Sequence, residues 1–237
     1  MVVIVYLNLR ISATPRRVHL QATKDGYDIQ MQTNHLSHFL LAQRLFPALE
    51  AAAAKRGEAR IVTHSSIAHK HPRSNLHEAS FGPNGGNLGG DASGMMMNGP
   101  RWQRYQQTKL ANLVFALALQ DRLTAAGSKV KALCAHPGLA KTNLQVTTGQ
   151  QGGMAENGGW LMCMSQTAEE GTMGVLRCSL DPEAVPGGFY GPGGMMGLKG
   201  LPQHLTVHAW VNTAANKDLL WTASVKAVGA DFPLAAP

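Results

Sequence analysis

The sequence predicts an α/β protein with an open, parallel sheet and flanking helices. Short apolar, β-branched runs at 59–64 and 130–135 are typical of strands buried on both faces. Segments with helical periodicity, 25–54 and 103–126, precede each of these runs, as expected for connections between parallel strands. A length of 237 residues suits one large domain.

Composition excludes several classes of protein. The chain is 44% hydrophobic and 15% charged, which supports a buried core and argues against disorder. No apolar run reaches the length of a membrane span, and the run at 1–9 predicts a buried strand. The net charge of +7 is scattered, so no nucleic-acid partner is predicted. The three cysteines, Cys134, Cys163 and Cys178, lack CxxC spacing and indicate free thiols in a reducing intracellular compartment.

The first predicted helix, over 25–54, contains Asp25 as a plausible N-cap and Pro47 as a point where the helix should kink or restart. Within it, His35 and His38 are three residues apart. Because no third ligand is in reach along the sequence, we interpret them as structural residues and predict no metal site. The spacing of His64, His69 and His71 fits no standard zinc pattern, and these three are interpreted as loop residues.

Tyr105 and Lys109 stand at positions i and i+4 of the second predicted helix, so their side chains share one face. A fixed ammonium near a phenol favours the phenolate and lowers the pKa of the tyrosine, which makes it a better acid–base catalyst. An exposed pair without function is the alternative interpretation.

Two strands are followed by polar or turn residues. Ser65 and Ser66 follow the strand at 59–64, and Pro137-Gly138 stops the strand at 130–135. In open α/β sheets, ligands bind at the carboxyl ends of the strands. Because side chains alternate along a strand, either serine can face that crevice.

Together these motifs resemble the short-chain dehydrogenase/reductase superfamily, and within it the retinol-dehydrogenase-like and WW-domain-oxidoreductase-like branch. The resemblance runs from about residue 25 almost to the C-terminus. It depends on the order of four motifs, which are Asn34-His35-Leu36, Ser65-Ser66, Tyr105 with Lys109, and His136-Pro137-Gly138 with Thr142. The glycine turn over 187–194 also matches this branch.

The resemblance implies a Rossmann-like sheet and assigns four catalytic residues. Tyr105 is the general acid–base. Lys109 lowers the pKa of that tyrosine and holds the nicotinamide ribose. Ser66 orients the substrate oxygen, and Asn34 binds a water through a distorted turn, completing a proton relay from the lysine to solvent.

The implied cofactor is NAD or NADP, and the positive net charge favours NADP slightly. The residues implied to contact it are Tyr105, Lys109, Pro137, Gly138 and Thr142. Family members also begin with a strand and a Thr-Gly-x3-Gly-x-Gly turn that cradles the pyrophosphate. Nothing before residue 25 has this pattern, so binding of the cofactor by this chain alone is in question.

The sequence thus predicts one partial domain over 1–237, N-terminally truncated, with strands 4–7 of the family sheet and a long flexible loop at about 72–100. The strand at 1–9 would be a bare edge, which predicts a protein partner that covers it. The first functional hypothesis is hydride transfer between a nicotinamide and a small, lipophilic alcohol or carbonyl substrate. The alternative is a catalytically inactive accessory subunit of a larger complex.

Overall fold

The computed structural model describes residues 22–71, 75–83, 90, 98–140 and 165–234. Several predicted features lie outside these residues. They are the strand at 1–9, most of the loop at 72–100, Cys163 and Thr142.

The first long helix begins at Asp28, and the prediction of Asp25 as its N-cap is wrong. The Asp28 carboxylate accepts hydrogen bonds at 2.9 and 3.0 Å from two backbone N–H groups of the first turn. Helix α1 (Ile29–Met31) then widens into a π-helical turn (Gln32–Leu36) and continues as α2 (Ser37–Arg56). A π turn inserts one extra residue per turn and is common at functional sites.

Helix α2 continues through Pro47, so the predicted restart there is wrong. Proline removes the hydrogen bond to the carbonyl four residues earlier, on Gln43. Pro47 lies on the exposed face of the helix, where water can satisfy that carbonyl.

The described sheet has four strands in the order β1 (Ala59–His64), β2 (Val130–Ala135), β3 (Phe189–Gly194) and β4 (Lys199–Leu205). The first three are parallel, as predicted, and β4 runs antiparallel to β3. Strand β4 was not predicted, since its glycine and proline are unusual in strands. Both are tolerated where a strand has only one neighbour, as β4 does in the described sheet.

Two further helices pack on this sheet, namely α3 (Pro100–Ala125) and α4 (Ala168–Leu180), and α5 (Ala214–Val228) packs on α3 and α2. Proline is tolerated at the first position of α3, which begins three residues earlier than predicted. A reciprocal capping box opens α4, and left-handed Gly229 closes α5. None of the described helices is long and apolar enough to cross a membrane.

Strands β1 and β2 are buried on both faces. Alternate residues of β1 point in opposite directions, so that Ile61 belongs to the apolar cluster shared with α2 and α3, and Val62 to the one shared with α4. Helix α3 is buried along most of its length, including the polar residues of its first half. This arrangement confirms a Rossmann-like α/β fold and places the polar half of α3 beside the carboxyl ends of β1 and β2.

Candidate active site

Tyr105 and Lys109 lie together on α3 beside the end of β1. Their side chains are 8% and 1% exposed. The Lys109 ammonium nitrogen is 5.5 Å from the centroid of the Tyr105 ring. The structure therefore gives this pair one buried face, and the alternative of an exposed pair is wrong.

Ser66 is the serine that reaches the tyrosine. Its side chain lies near enough to the Tyr105 hydroxyl to lower the pKa of that tyrosine. Its Oγ also accepts a hydrogen bond from the backbone N–H of Ala68 at 3.2 Å, which caps the 3₁₀ turn over Ile67–Lys70. Ser65 is fully buried and donates to the Lys109 carbonyl at 2.8 Å, so it fixes α3 to β1.

The Lys109 ammonium lies against His64, the last residue of β1. It is 3.4 Å from the His64 carbonyl oxygen and 3.5 Å from His64 Nδ1. Burial and the charge of Lys109 hold the pKa of the His64 imidazole well below its ordinary value. A neutral imidazole therefore faces a charged ammonium at neutral pH.

Asn34 lies in the π turn and is completely buried. Its side chain donates to Thr108 Oγ1 at 3.0 Å, and its carbonyl accepts from the Asn112 side chain at 2.9 Å. Within the described residues, Asn34 Oδ1 has no hydrogen-bond partner although it is buried. Asn34 is thus connected to Lys109 through other side chains of the described structure.

The turn after β2 packs closely against the β3–β4 connection. Gly138 has a φ of +68°, and its N–H donates to His136 Nδ1 at 3.2 Å. The Gln166 side chain donates to the Pro137 carbonyl at 2.5 Å. This turn follows the end of β2, the neighbour of β1, but Thr142 lies outside the described residues.

No protein-family model matches this chain. It is 32% identical over 129 residues to a short chain dehydrogenase/reductase of Colletotrichum higginsianum, covering 51% of this chain and 30% of that protein. It is 33% identical to mouse (Mus musculus) polyprenol dehydrogenase, covering 68% and 44%, and 34% identical to human (Homo sapiens) retinol dehydrogenase 13, covering 55% and 34%. The chain thus spans less than half the length of each of these relatives.

A solved structure of an uncharacterized protein from Mycobacterium paratuberculosis matches 98% of this chain and 68% of its own. The two share 28% sequence identity, and the TM-score is 0.66. This chain belongs to the short-chain dehydrogenase/reductase superfamily. The resemblance noted in the sequence is therefore confirmed, including its likeness to retinol dehydrogenases.

The electrostatics of the candidate site differ from what the sequence led us to expect. Burial raises the pKa of Tyr105 to about 12, and the nearby Ser66 side chain offsets only part of that shift. Burial also lowers the pKa of Lys109 to about 8, against a smaller opposing effect of Cys134. The expectation that Lys109 lowers the pKa of Tyr105 is not met in this structure, because desolvation dominates both groups.

The residues present fit one end of the NAD(P) molecule that the superfamily implies. Charge-assisted hydrogen bonds are typically about 2.7–2.9 Å long. The described structure gives the Lys109 ammonium two contacts, both to His64, at 3.4 and 3.5 Å. Because these contacts are long, the three N–H groups of the ammonium can still donate to ribose hydroxyls. The sequence supplies no glycine-rich turn of the family pattern for the pyrophosphate, so the fit concerns the nicotinamide ribose.

Three residues of the candidate site were not assigned a role from the sequence. His64 contacts Lys109, and Asn112 contacts Asn34. His69 donates to the Ser66 carbonyl at 2.6 Å, and its ring packs edge-on against Phe189. Only for Asn112 could the sequence have indicated a role, because it stands three residues after Lys109 on the same helix face.

Histidines crowd this region without forming a metal site. Among the described residues, no group of three His, Cys, Asp or Glu side chains is placed to hold a metal ion. Burial lowers the pKa of His38 and of His136 to about 3, so both are neutral at physiological pH.

Proposed function

We propose that this chain carries the catalytic half of an NAD(P)-dependent oxidoreductase that acts on an alcohol or a carbonyl. The supporting observation is the contact between the hydroxyls of Tyr105 and Ser66, with the Lys109 ammonium beside the same ring. These three groups are separated in the sequence and meet at the carboxyl end of β1, where open α/β sheets bind ligands.

In this proposal, Tyr105 moves a proton to or from the substrate oxygen, and Ser66 holds that oxygen by a hydrogen bond. Lys109 stabilises the phenolate and binds the ribose, while Asn34 links the lysine to a proton relay. NAD(P), when bound, supplies or accepts the hydride. The Pro137-Gly138 turn and Thr142 would hold the carboxamide of the nicotinamide.

The proposed substrate is lipophilic. Two relatives are named for apolar alcohols, retinol and polyprenol, and this supports the assignment. NADP is proposed over NAD because the net charge of +7 complements an additional phosphate.

The test is NADPH binding by fluorescence, followed by turnover with retinol, a polyprenol and the corresponding carbonyls. Loss of a general acid–base typically costs about 10²–10⁴-fold in rate, so Tyr105→Phe is expected to lose at least that factor. Tyr190→Phe is the matched control, because Tyr190 is also buried and its hydroxyl accepts from the Val185 N–H, away from the site. Equal activity in the two variants would contradict the proposal.

The second candidate is a catalytically inactive accessory subunit of a larger complex. The absence of the Thr-Gly-x3-Gly-x-Gly pattern from the sequence favours it. The same binding experiment separates the two candidates. Micromolar affinity for NADPH supports the enzyme, whereas a folded chain that binds neither NADPH nor NADH at millimolar concentration supports the subunit.

A further inference from the structure

A buried chain of hydrogen bonds leads from the C-terminal helix to the centre of the site. Ser224 Oγ on α5 is 2.8 Å from His35 Nε2, and His35 Nδ1 is 3.2 Å from Asn112 Oδ1. The side-chain nitrogen of Asn112 lies 2.9 Å from the Asn34 carbonyl oxygen and 3.0 Å from that of His64. The His64 carbonyl is also the one that faces the Lys109 ammonium at 3.4 Å.

The direction of every bond in this chain is fixed by its ends. Two backbone carbonyls can only accept, so Asn112 must present its NH₂ group to them and its oxygen to His35. His35 must then carry its proton on Nδ1, which leaves Nε2 to accept the Ser224 hydroxyl proton. Burial lowers the pKa of His35 to about 4, so this neutral tautomer persists at physiological pH.

This arrangement is not what packing alone favours. His35 is completely buried, and the rings of Phe39, Phe81 and Phe115 surround it at centroid distances of 5.6 to 6.2 Å. A buried polar group that loses its hydrogen-bond partners lowers the stability of the fold, whereas an apolar ring could pack among three phenylalanines without needing such partners. These hydrogen bonds therefore do more than fill the core, because they hold the Asn34 and His64 carbonyls in fixed positions.

We propose that His35 and Asn112 are positioning residues for Lys109, with Ser224 as the outer anchor of the same chain. Asn112 ties the end of β1 to the π turn, and His35 holds the Asn112 amide in the one orientation that can do so. The His64 carbonyl then meets the ammonium at a set distance. This inference rests on the proposed function, in which Lys109 holds the cofactor and acts on Tyr105.

The test uses the full chain and variants that break the hydrogen-bonded chain at different points. His35→Phe replaces the imidazole by a ring suited to its aromatic surroundings, Ser224→Ala removes the outer anchor, and Asn112→Leu removes the amide. Ser179→Ala is the matched control, because Ser179 is also fully buried in a helix and its hydroxyl donates a hydrogen bond to the Val175 carbonyl.

The first measurement is the titration of Lys109 by NMR of the ¹⁵N-labelled side-chain amine, with Lys109→Arg for assignment. The other titratable groups near this ammonium are unchanged in all variants, namely Tyr105 on α3, His64 from β1, His38 from α2 and Cys134 from β2. The three network variants are expected to shift the pKa of Lys109 by at least about half a unit, a change of about 0.7 kcal/mol. Ser179→Ala is expected to leave it unchanged.

The second measurement is the affinity for NADPH at a temperature where the variants are folded, which is expected to fall roughly ten-fold in His35→Phe, or about 1.4 kcal/mol. If His35→Phe and Ser224→Ala fold and the pKa of Lys109 is unchanged in both, the inference is overturned. This result decides the question even if Asn112→Leu does not fold. If the unaltered chain binds no NADPH, the proposed function fails, and the titration alone still decides on the positioning role.

Discussion

Replacing Gly138 by alanine tests whether the turn after β2 depends on a residue without a side chain. The φ of Gly138 is +68°, in the left-handed region. A Cβ placed there would lie 2.7 Å from Pro192 Cγ and closer still to the Leu198 carbonyl oxygen. That carbonyl cannot easily move, because it accepts the Leu139 N–H at 2.8 Å.

Two effects add up in Gly138→Ala. A left-handed backbone costs an alanine about 1–2 kcal/mol, and overpacking a tight site costs about 1–3 kcal/mol more. Gly229→Ala isolates the first effect, because Gly229 has the same φ of +68° and a Cβ added to it would meet nothing within 4 Å. The free energy of unfolding is therefore expected to fall by about 2–5 kcal/mol in Gly138→Ala and by about 1–2 kcal/mol in Gly229→Ala.

Urea denaturation followed by circular dichroism measures both variants in one buffer. For a chain of this size, a difference of about 2 kcal/mol between them corresponds to roughly 4–8 °C in melting temperature. If Gly138→Ala is no less stable than Gly229→Ala, the crowding argument is refuted, and Gly138 would have to be explained by cofactor contact alone.

Two further predictions concern buried cations. Burial lowers the pKa of Lys109 from 10.5 to about 8, so between these pH values the unfolded chain binds more protons than the folded chain. The burial of the charged lysine therefore destabilises the fold fully below about pH 8, and this destabilisation becomes smaller as the pH rises. Relative to Lys109→Met, the free energy of unfolding should therefore increase by roughly 2 kcal/mol from about pH 7 to about pH 9.5 in denaturant titrations. Arg60 donates to the Cys178 and Asp181 carbonyls at 2.9 and 2.8 Å. Both of these bonds come from one guanidinium nitrogen, and the other two nitrogens contact the Glu58 carboxylate at 2.8 and 2.6 Å. The single nitrogen of Arg60→Lys cannot keep the carbonyl and the carboxylate contacts together and should lower the midpoint of urea unfolding, at a cost of about 3 kcal/mol.

The architecture could be predicted because its signals are local. The runs that became β1 and β2 are short, β-branched and bounded by glycine, serine or proline, and each is preceded by a periodic helix. The end of α5 at Gly229 and the capping box of α4 depend on residues only a few positions apart. Such features need no knowledge of what packs where.

The errors arose where tertiary contacts decide. Asp28 is preferred over Asp25 as the N-cap because its other carboxylate oxygen pairs with Arg104 at 2.5 Å, across 76 residues of sequence. Strand β4 contains Pro202 and pairs on one side with β3 in the described sheet, so its pattern does not resemble that of a central strand. Neither fact is visible in a window of neighbouring residues.

The candidate site was predicted in its members and not in its electrostatics. The spacing of Tyr105 and Lys109 correctly implies one shared face, but it does not show whether that face is buried from solvent. Since both groups are buried, desolvation shifts each pKa away from the charged form, to about 12 for the phenol and about 8 for the amine. An exposed pair with the same spacing would show neither shift.

These shifts make the position of the ammonium decisive for any acid–base role of Tyr105. Coulomb energy in a medium of low dielectric changes steeply with distance, so a phenolate is stabilised only when the ammonium stays close to its oxygen. In this structure the ammonium is 3.4 Å from the His64 carbonyl and 5.5 Å from the centre of the phenol ring. The carbonyl and the phenol therefore compete for one cation, so the position of the carbonyl affects how close the ammonium can come to a phenolate. His35 and Asn112 fix that carbonyl from the side away from Lys109, which is why two residues outside the Tyr105–Ser66 contact should affect how well Lys109 stabilises a Tyr105 phenolate.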